Sequence, residues 1–184
     1  LFVREYVVLC TLIVNDFLPP LSYLKVRNNG IDEIIEEYML VGEKMRQPLV
    51  TSDGLLNELF FKILLKGLME NEDAHIEKAQ QSALERRTPY THTRSYHRVF
   101  FDLDNYPCYH KDEARAINVG QTNWRLAYYQ TLFHGDLVSD ICINYLEGIQ
   151  WVIDYYIKQK PLLDWHYRYS YSPTILDLYN FMAY

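Results

Sequence analysis

From Tyr145 to Pro173 the chain reads YLEGIQWVIDYYIKQKPLLDWHYRYSYSP, and this stretch restricts the fold more than any other. Pro161 divides it, because a proline cannot donate the helical hydrogen bond and clashes with the preceding turn. Ahead of Pro161 the spacing predicts a helix from about Leu137 to Lys158. Ile141, Tyr145, Val152 and Tyr156 lie along one broad stripe, joined by Leu146, Ile149 and Ile153. Glu147 falls among apolar neighbours, so it is either hydrogen-bonded in the interior or exposed at the edge. Beyond Pro161 the pattern changes to a period of two, which puts Trp165, Tyr167, Tyr169 and Tyr171 on one face of an extended ribbon. With Tyr155, Tyr156 and His166, these polar-tipped rings form either the edge of a core or a surface on which bases stack.

A chain of 184 residues, nearly half hydrophobic and with 17 tyrosines, has material for one large domain with a sizeable core. The net charge of −6 argues against generic adhesion to nucleic acid or anionic membrane, while leaving room for a local basic groove. Cys10, Cys108 and Cys142 are odd in number and lack metal-type spacing, which suggests free thiols in a reducing, intracellular compartment. No apolar run reaches the roughly 18–20 residues of a membrane span. With no initiator methionine at Leu1, the chain is expected to begin mid-protein.

Leu1–Val14 is apolar apart from Arg4 and Glu5 and suits a buried helix or a buried strand. It runs into Asn15-Asp16-Phe17-Leu18-Pro19-Pro20, where two prolines hold the backbone extended and leave Asp16 at the tip of an emerging loop. A carboxylate there needs a helix N-terminus, a basic side chain or a metal ion, and the residues alone leave capping and metal binding open. Asn29-Gly30 signals a turn. Ile31, Ile34, Ile35 and Tyr38 then repeat at helical spacing, with Asp32, Glu33, Glu36 and Glu37 predicted on a solvated outer face. After Pro48–Gly54, with Ser52 or Asp53 as candidate N-cap, a second helix carries Leu55, Leu56, Leu59, Phe60, Ile63, Leu64 and Leu68. Residues 74–118 are the least periodic and read as a long irregular loop. They hold Arg86, Arg87, Arg94, Arg98, Lys111 and Arg115, interleaved with Tyr90, His92, Tyr96, His97, Tyr106, Tyr109 and His110. Order returns at Asn123–Phe133, a helix expected to pack Trp124, Tyr128 and Phe133 inward, stopped by His134-Gly135 with Asp136 capping the next helix.

The order of these features resembles the XRN-type 5′→3′ exoribonucleases. W-V-x-x-Y-Y at Trp151–Tyr156 and W-x-Y-x-Y-x-Y-x-P at Trp165–Pro173 are similar to that family's second conserved region. There Trp165, Tyr167, Tyr169, Tyr171, Pro173 and Asp177 match, whereas Leu163 and Ser170 replace a Trp and a His. Asn123–Phe133 resembles G-W-x-x-R-Y-Y-x-x-K-F, with Asn123, Ala127 and Thr131 at the Gly, Arg and Lys positions. Val14-Asn15-Asp16-Phe17-Leu18-Pro19-Pro20-Leu21-Ser22 is similar to the family's G-[NS]-D-[FY]-L-P-H-L-P, departing at Val14, Pro20 and Ser22.

The resemblance implies a mainly α chain, the helical region of an XRN/flap-nuclease-like α/β enzyme with one long irregular loop. Residues 1–30 would end the nuclease core, 31–73 form a helical segment, 74–118 the variable loop and 119–184 the second conserved region. It implies a segment of a magnesium- or manganese-dependent hydrolase that degrades 5′-monophosphorylated single-stranded RNA, with Asp16 as the catalytic metal ligand. Trp165, Tyr167 and Tyr169 would border the RNA. The family's other acidic ligands and its 5′-monophosphate pocket have no counterpart here, so an N-terminal nuclease region or chain is the expected partner, and no activity is expected from this sequence alone. A cytoplasmic rather than nuclear setting, with no membrane, goes with this reading. The alternative is a non-catalytic structural or interaction protein derived from the same family, for which Val14, Leu163, Ser170 and the negative charge speak.

Overall fold

The computed structural model describes residues 3–26, 29–85 and 111–183. The Arg, Tyr and His residues between 86 and 110 singled out above, together with Cys108, lie outside the described residues. The described chain is mainly α, in order α1 (Val3–Thr11), α2 (Gly30–Met45), α3 (Glu58–Met69), α4 (Glu72–Glu85), α5 (Lys111–Ile117), α6 (Trp124–Leu132) and α7 (Val138–Ile153). A π-helical turn, Asp154–Lys158, extends α7, and α8 (Ile175–Phe181) follows the ribbon. Extended pairing among the described residues is confined to a single antiparallel bridge, Val50 to Leu56.

Two compact units form. One comprises the described residues up to Glu70 and from Leu137 onward; the other runs from Asn71 to Asp136. In the first, α2 packs on α3, α3 on α8, and α1 and α8 on α7. Its core holds Leu9, Leu12, Leu21, Ile34, Phe60, Phe61, Leu64, Tyr145, Ile149 and Val152, all essentially inaccessible to solvent. Burying each such side chain stabilises the fold by about 1.5–3 kcal/mol before conformational entropy is subtracted. In the second unit, α5 packs on α4 and α6, and Tyr128 meets Trp124, Tyr129 and Phe133 through ring contacts of 5.3–6.1 Å. Arg125 there pairs with Asp73 and with the buried carboxylate of Glu72 at 3.5 Å.

Several local expectations change. The apolar N-terminal segment is helical to Thr11. Glu5, predicted only as a charge in it, is 2% exposed, accepts from the Leu49 amide at 2.7 Å and receives the Tyr38 hydroxyl. The acidic face of α2 is solvated only in part. Glu33 accepts from the Tyr23 hydroxyl at 2.5 Å, and Glu37 lies so close over Gly67 that a Cβ there would meet its carboxylate at 2.0 Å. Burial accordingly pushes the Glu37 carboxyl up, Glu70 adding and Lys44 opposing.

The N-cap of α3 is Asn57, accepting from Phe60 N at 3.1 Å, not Ser52 or Asp53. Those two sit in a tight turn at Gly54, whose φ of 71° suits glycine. Starting α3 later rotates its stripe: Phe61 and Leu65 are buried, and Leu55 and Leu59 are exposed. The segment read as irregular opens with α4 and closes with α5, Ile76 and Ile117 being buried anchors whose helical spacing is too sparse to stand out. Asp136 does not cap α7, whose N-cap position is Leu137 without a side-chain hydrogen bond. Tyr156, placed on the buried stripe of a continuous helix, is 46% exposed, because the π turn shifts the register by which residues past Ile153 meet the core.

Candidate functional site

The loop after α1 is built by Asn15. Its amide donates to Thr11 O at 2.6 Å and Leu18 O at 3.3 Å, and its Oδ1 accepts from Phe17 N at 2.7 Å and Leu18 N at 2.8 Å. This is an Asx-type turn, in which a short polar side chain satisfies backbone groups that the ending helix leaves open. Asn15 therefore does the capping, and Asp16 does not. Asp16 is exposed and has no hydrogen bond or ion pair within the described residues. Val14, also exposed, avoids the left-handed region, so replacing a glycine there introduces no positive-φ strain.

The same loop is strapped to the second half of the chain. Tyr145, fully buried in α7, donates its hydroxyl to Pro19 O at 3.0 Å. Ser22, at a φ of 50°, gives its amide to Ser172 Oγ at 2.9 Å. Leu18 and Trp165 both press on α7 at Gly148, where a Cβ would lie 2.6 Å from Leu18 and 2.8 Å from Trp165. Glycine is required there by close approach rather than by backbone angle.

Phe17, next to Asp16, lies against a continuous group of rings. Its centroid is 4.8 Å from Trp151, 4.9 Å from Tyr155 and 6.3 Å from Tyr156. Trp151 is stacked on Tyr155 at 5.4 Å and on Trp165 at 5.6 Å, with interplanar angles of 18° and 28°. Tyr155 and Tyr156 are exposed and Phe17, Trp151 and Trp165 half-buried, so the group presents ring surface to solvent beside the acid. Trp151 Nε1 donates to Leu162 O at 2.7 Å. Trp165 Nε1 donates to Glu147 Oε2 at 3.4 Å, which places Glu147 at the exposed edge, linked also to Asn144.

The ribbon's alternation is real: Trp165, Tyr167 and Tyr169 are half-buried and Tyr171 buried, while His166, Arg168 and Ser170 are exposed. The ring face is turned toward α7. Tyr167 meets Tyr145 edge-on at 5.5 Å and donates its hydroxyl to Tyr171 O, and Asn144 Oδ1 accepts from Arg168 N at 3.0 Å. Tyr167 therefore underpins the ribbon, Tyr169 meets the Tyr167 ring edge-on at 5.6 Å, and Trp165 reaches the solvent-facing stack. Sequence reasoning missed Phe17 and Trp151 as the members that connect the acid to that stack. The signal was present in the helical pair Trp151 and Tyr155, four residues apart. Asp177, matched as a motif residue, closes the N-terminus of α8: Thr174 Oγ1 accepts from Asp177 N at 3.2 Å and donates to its carboxylate at 2.5 Å.

Asp16 suits one ligand position of a hard divalent cation, being an uncommitted carboxylate open to solvent. It does not make a site alone: among the described residues no three His, Cys, Asp or Glu side chains come together as metal ligands. Among the same residues, no helix is long and apolar enough to cross a membrane.

Comparison with known proteins agrees with this architecture. The family described as "Xrn1 helical domain" matches residues 69–184, more than half of the chain. 5′-3′ exoribonuclease 1 of Saccharomyces cerevisiae is 37% identical over 71 residues, covering 36% of this chain and 5% of its own length. Its Homo sapiens namesake is 31% identical over 78 residues, 38% of this chain and 5% of that protein. The 5′-3′ exoribonuclease 2 homolog of Drosophila melanogaster is 22% identical over 226 aligned positions, covering 96% of this chain and 24% of that protein. The chain thus spans a quarter or less of the length of these relatives. With a matching profile over most of its length and a helical fold of the corresponding kind, the chain belongs to the Xrn1 helical domain family.

Proposed function

We propose that this chain is the helical region of a 5′→3′ exoribonuclease that hydrolyses 5′-monophosphorylated single-stranded RNA, with Asp16 contributing one carboxylate to a Mg²⁺ or Mn²⁺ site. The observation that carries the reading is the Asn15 turn, which satisfies the loop's backbone and leaves Asp16 uncommitted next to exposed rings. The remaining carboxylates come from a nuclease region outside this sequence. With such a cation bound, Asp16 would be one of its ligands, and the chemistry supplied there would be water activation and stabilisation of charge on the phosphodiester. The residues of this chain would orient the strand: Trp165, with Trp151, Phe17 and Tyr155, offers π faces to bases, and Tyr167, with Tyr169 edge-on against it, holds the ribbon from beneath. An intracellular, cytoplasmic setting goes with this reading, and the free thiols Cys10 and Cys142 suit it.

The test uses the whole gene product, Mg²⁺ and a 5′-monophosphorylated RNA, with the 5′-hydroxyl RNA as comparison and release of mononucleotides as readout. Wild type is expected to degrade the first RNA and spare the second, and Asp16→Ala to abolish release while retaining RNA binding. Equal release by Asp16→Ala removes the assignment of Asp16. Absence of release from wild type favours the non-catalytic alternative, for which the replaced motif positions Val14, Leu163 and Ser170 speak.

A further inference from the structure

Gln150 lies on α7 immediately before Trp151, and three of the four hydrogen-bonding directions of its amide are used, both donors among them. Its Oε1 accepts from Leu56 N at 3.0 Å, and its Nε2 donates to Gly54 O at 3.0 Å and to Asp154 Oδ1 at 2.9 Å. Asp154 opens the π turn and pairs with Lys158 at 2.9 Å. The Lys158 stem lies back over Gly54, with Cε 2.7 Å from where a Cβ would stand. The turn on the other side is itself closed: Gly54 N reaches Thr51 O at 3.0 Å, Leu55 N reaches Thr51 Oγ1 at 3.0 Å, and Thr51 N reaches Leu55 O at 2.9 Å. One amide thus ties a rigid turn to the first residue of a helical irregularity.

The pair Gln150–Asp154 is four residues apart, and so is the neighbouring pair Trp151–Tyr155, whose rings stack at 5.4 Å. Each residue of the tethered pair is bonded directly to one of the ring pair, so fixing the first fixes the backbone from which the second projects. A π turn is an uncommon, single-turn departure from the α-helical ladder, found frequently at functional sites. Sites that bind through ring faces gain affinity when the rings are held in place beforehand, because less ordering remains to be done on binding.

We propose that Gln150 is a positioning residue, which through Asp154 and the Thr51–Leu56 turn holds the Phe17–Trp151–Tyr155–Trp165 ring stack in the geometry that receives single-stranded RNA. The claim rests on the RNA-binding reading above for its functional half and on the geometry alone for its structural half. Gln150→Met preserves the bulk of the side chain and removes all three hydrogen bonds. Gln150→Glu keeps the acceptor for Leu56 N, removes both donors and sets a second carboxylate against Asp154.

The experiment labels the whole protein with 5-fluorotryptophan, assigns the ¹⁹F signals of Trp124, Trp151 and Trp165 by single Trp→Phe replacements, and measures binding of 5′-monophosphorylated RNA. In Gln150→Met the signals of Trp151 and Trp165 are expected to shift or broaden while Trp124 stays in place. RNA binding should weaken about tenfold, the order of one base–ring stack, and the Mg²⁺ dependence of cleavage should stay as in wild type. Where Gln150→Met fails to fold, Gln150→Glu carries the same expectation. Unmoved Trp151 and Trp165 signals overturn the proposal, as does wild-type RNA affinity in a protein whose Asp16→Ala variant is inactive. Where wild type itself does not bind the RNA, the functional reading fails, and the fluorine signals alone decide whether Gln150 positions the stack.

Discussion

Replacing Asn15 by Ala tests whether the loop that displays Asp16 is made by a single side chain. Four hydrogen bonds disappear, two donated to Thr11 O and Leu18 O and two accepted from Phe17 N and Leu18 N. The group is half-buried, so water replaces part of what is lost. At about 0.5–1.5 kcal/mol net per bond, and with the 3.3 Å contact counted as weak, the loss comes to about 2–3 kcal/mol. It falls locally, because Pro19 and Pro20 restrict the downstream chain whether or not Asn15 is present. Hydrogen exchange by mass spectrometry reads this directly. When closing outpaces exchange, the rate follows the opening equilibrium, and tenfold corresponds to about 1.4 kcal/mol. The amides of Phe17 and Leu18 should therefore exchange about 30- to 150-fold faster in Asn15→Ala. Asn15→Asp, which keeps the acceptor and loses the donors, should lie between that variant and wild type. Asp16→Asn should leave the loop's exchange at the wild-type rate, since its side chain has no partner there. Unchanged protection in Asn15→Ala, or lost protection in Asp16→Asn, refutes the division of labour between the two residues.

Three further outcomes follow from the geometry. Gly148→Val should displace Leu18 or Trp165, since even a Cβ would stand 2.6–2.8 Å from both, and cost about 1–3 kcal/mol in unfolding free energy by overpacking. Burial and the hydrogen bond to Glu5 raise the Tyr38 phenol above its usual 10.0, so the stability it contributes is fully present below pH 10 and is lost as pH rises toward the elevated folded value. Tyr38→Phe should flatten the alkaline limb of the stability curve, at a neutral-pH cost of about 1–3 kcal/mol for leaving a buried carboxylate oxygen unpaired. Burial, with a smaller contribution from Asp177, pushes the Cys142 thiol up to about 12, so native protein at pH 8 should resist alkylation at Cys142, as mass spectrometry of the modified peptides will read.

Features set by local period were legible in the sequence. The alternation of Trp165 to Tyr171, the inward rings of Trp124, Tyr128 and Phe133, and the Ile34–Tyr38 stripe all depend on neighbours within a few residues. The emergence of Asp16 into a loop was legible too, because the two prolines at 19 and 20 bar a helix from running through that segment. What stayed hidden depends on partners far along the chain. The burial of Glu5 needs Leu49 and Tyr38, 44 and 33 residues away, and the placement of Ser22 needs Ser172, 150 residues away. The π turn was invisible for a different reason. Asp154 and Tyr155 continue the helical pattern on paper, and nothing in their spacing announces the π turn that leaves Tyr156 exposed. The side on which Asn15 and Asp16 divide capping and display could not be read either, since both residue types cap turns equally well.

The central claim is that the carboxylate of Asp16 grips a divalent cation together with acids from outside this sequence. Titration of the whole protein with Mn²⁺, followed by isothermal calorimetry in wild type and Asp16→Asn, addresses it without relying on RNA turnover. A loss of affinity or stoichiometry in the variant, with its fold and loop exchange intact, is the predicted result; superimposable isotherms would contradict it.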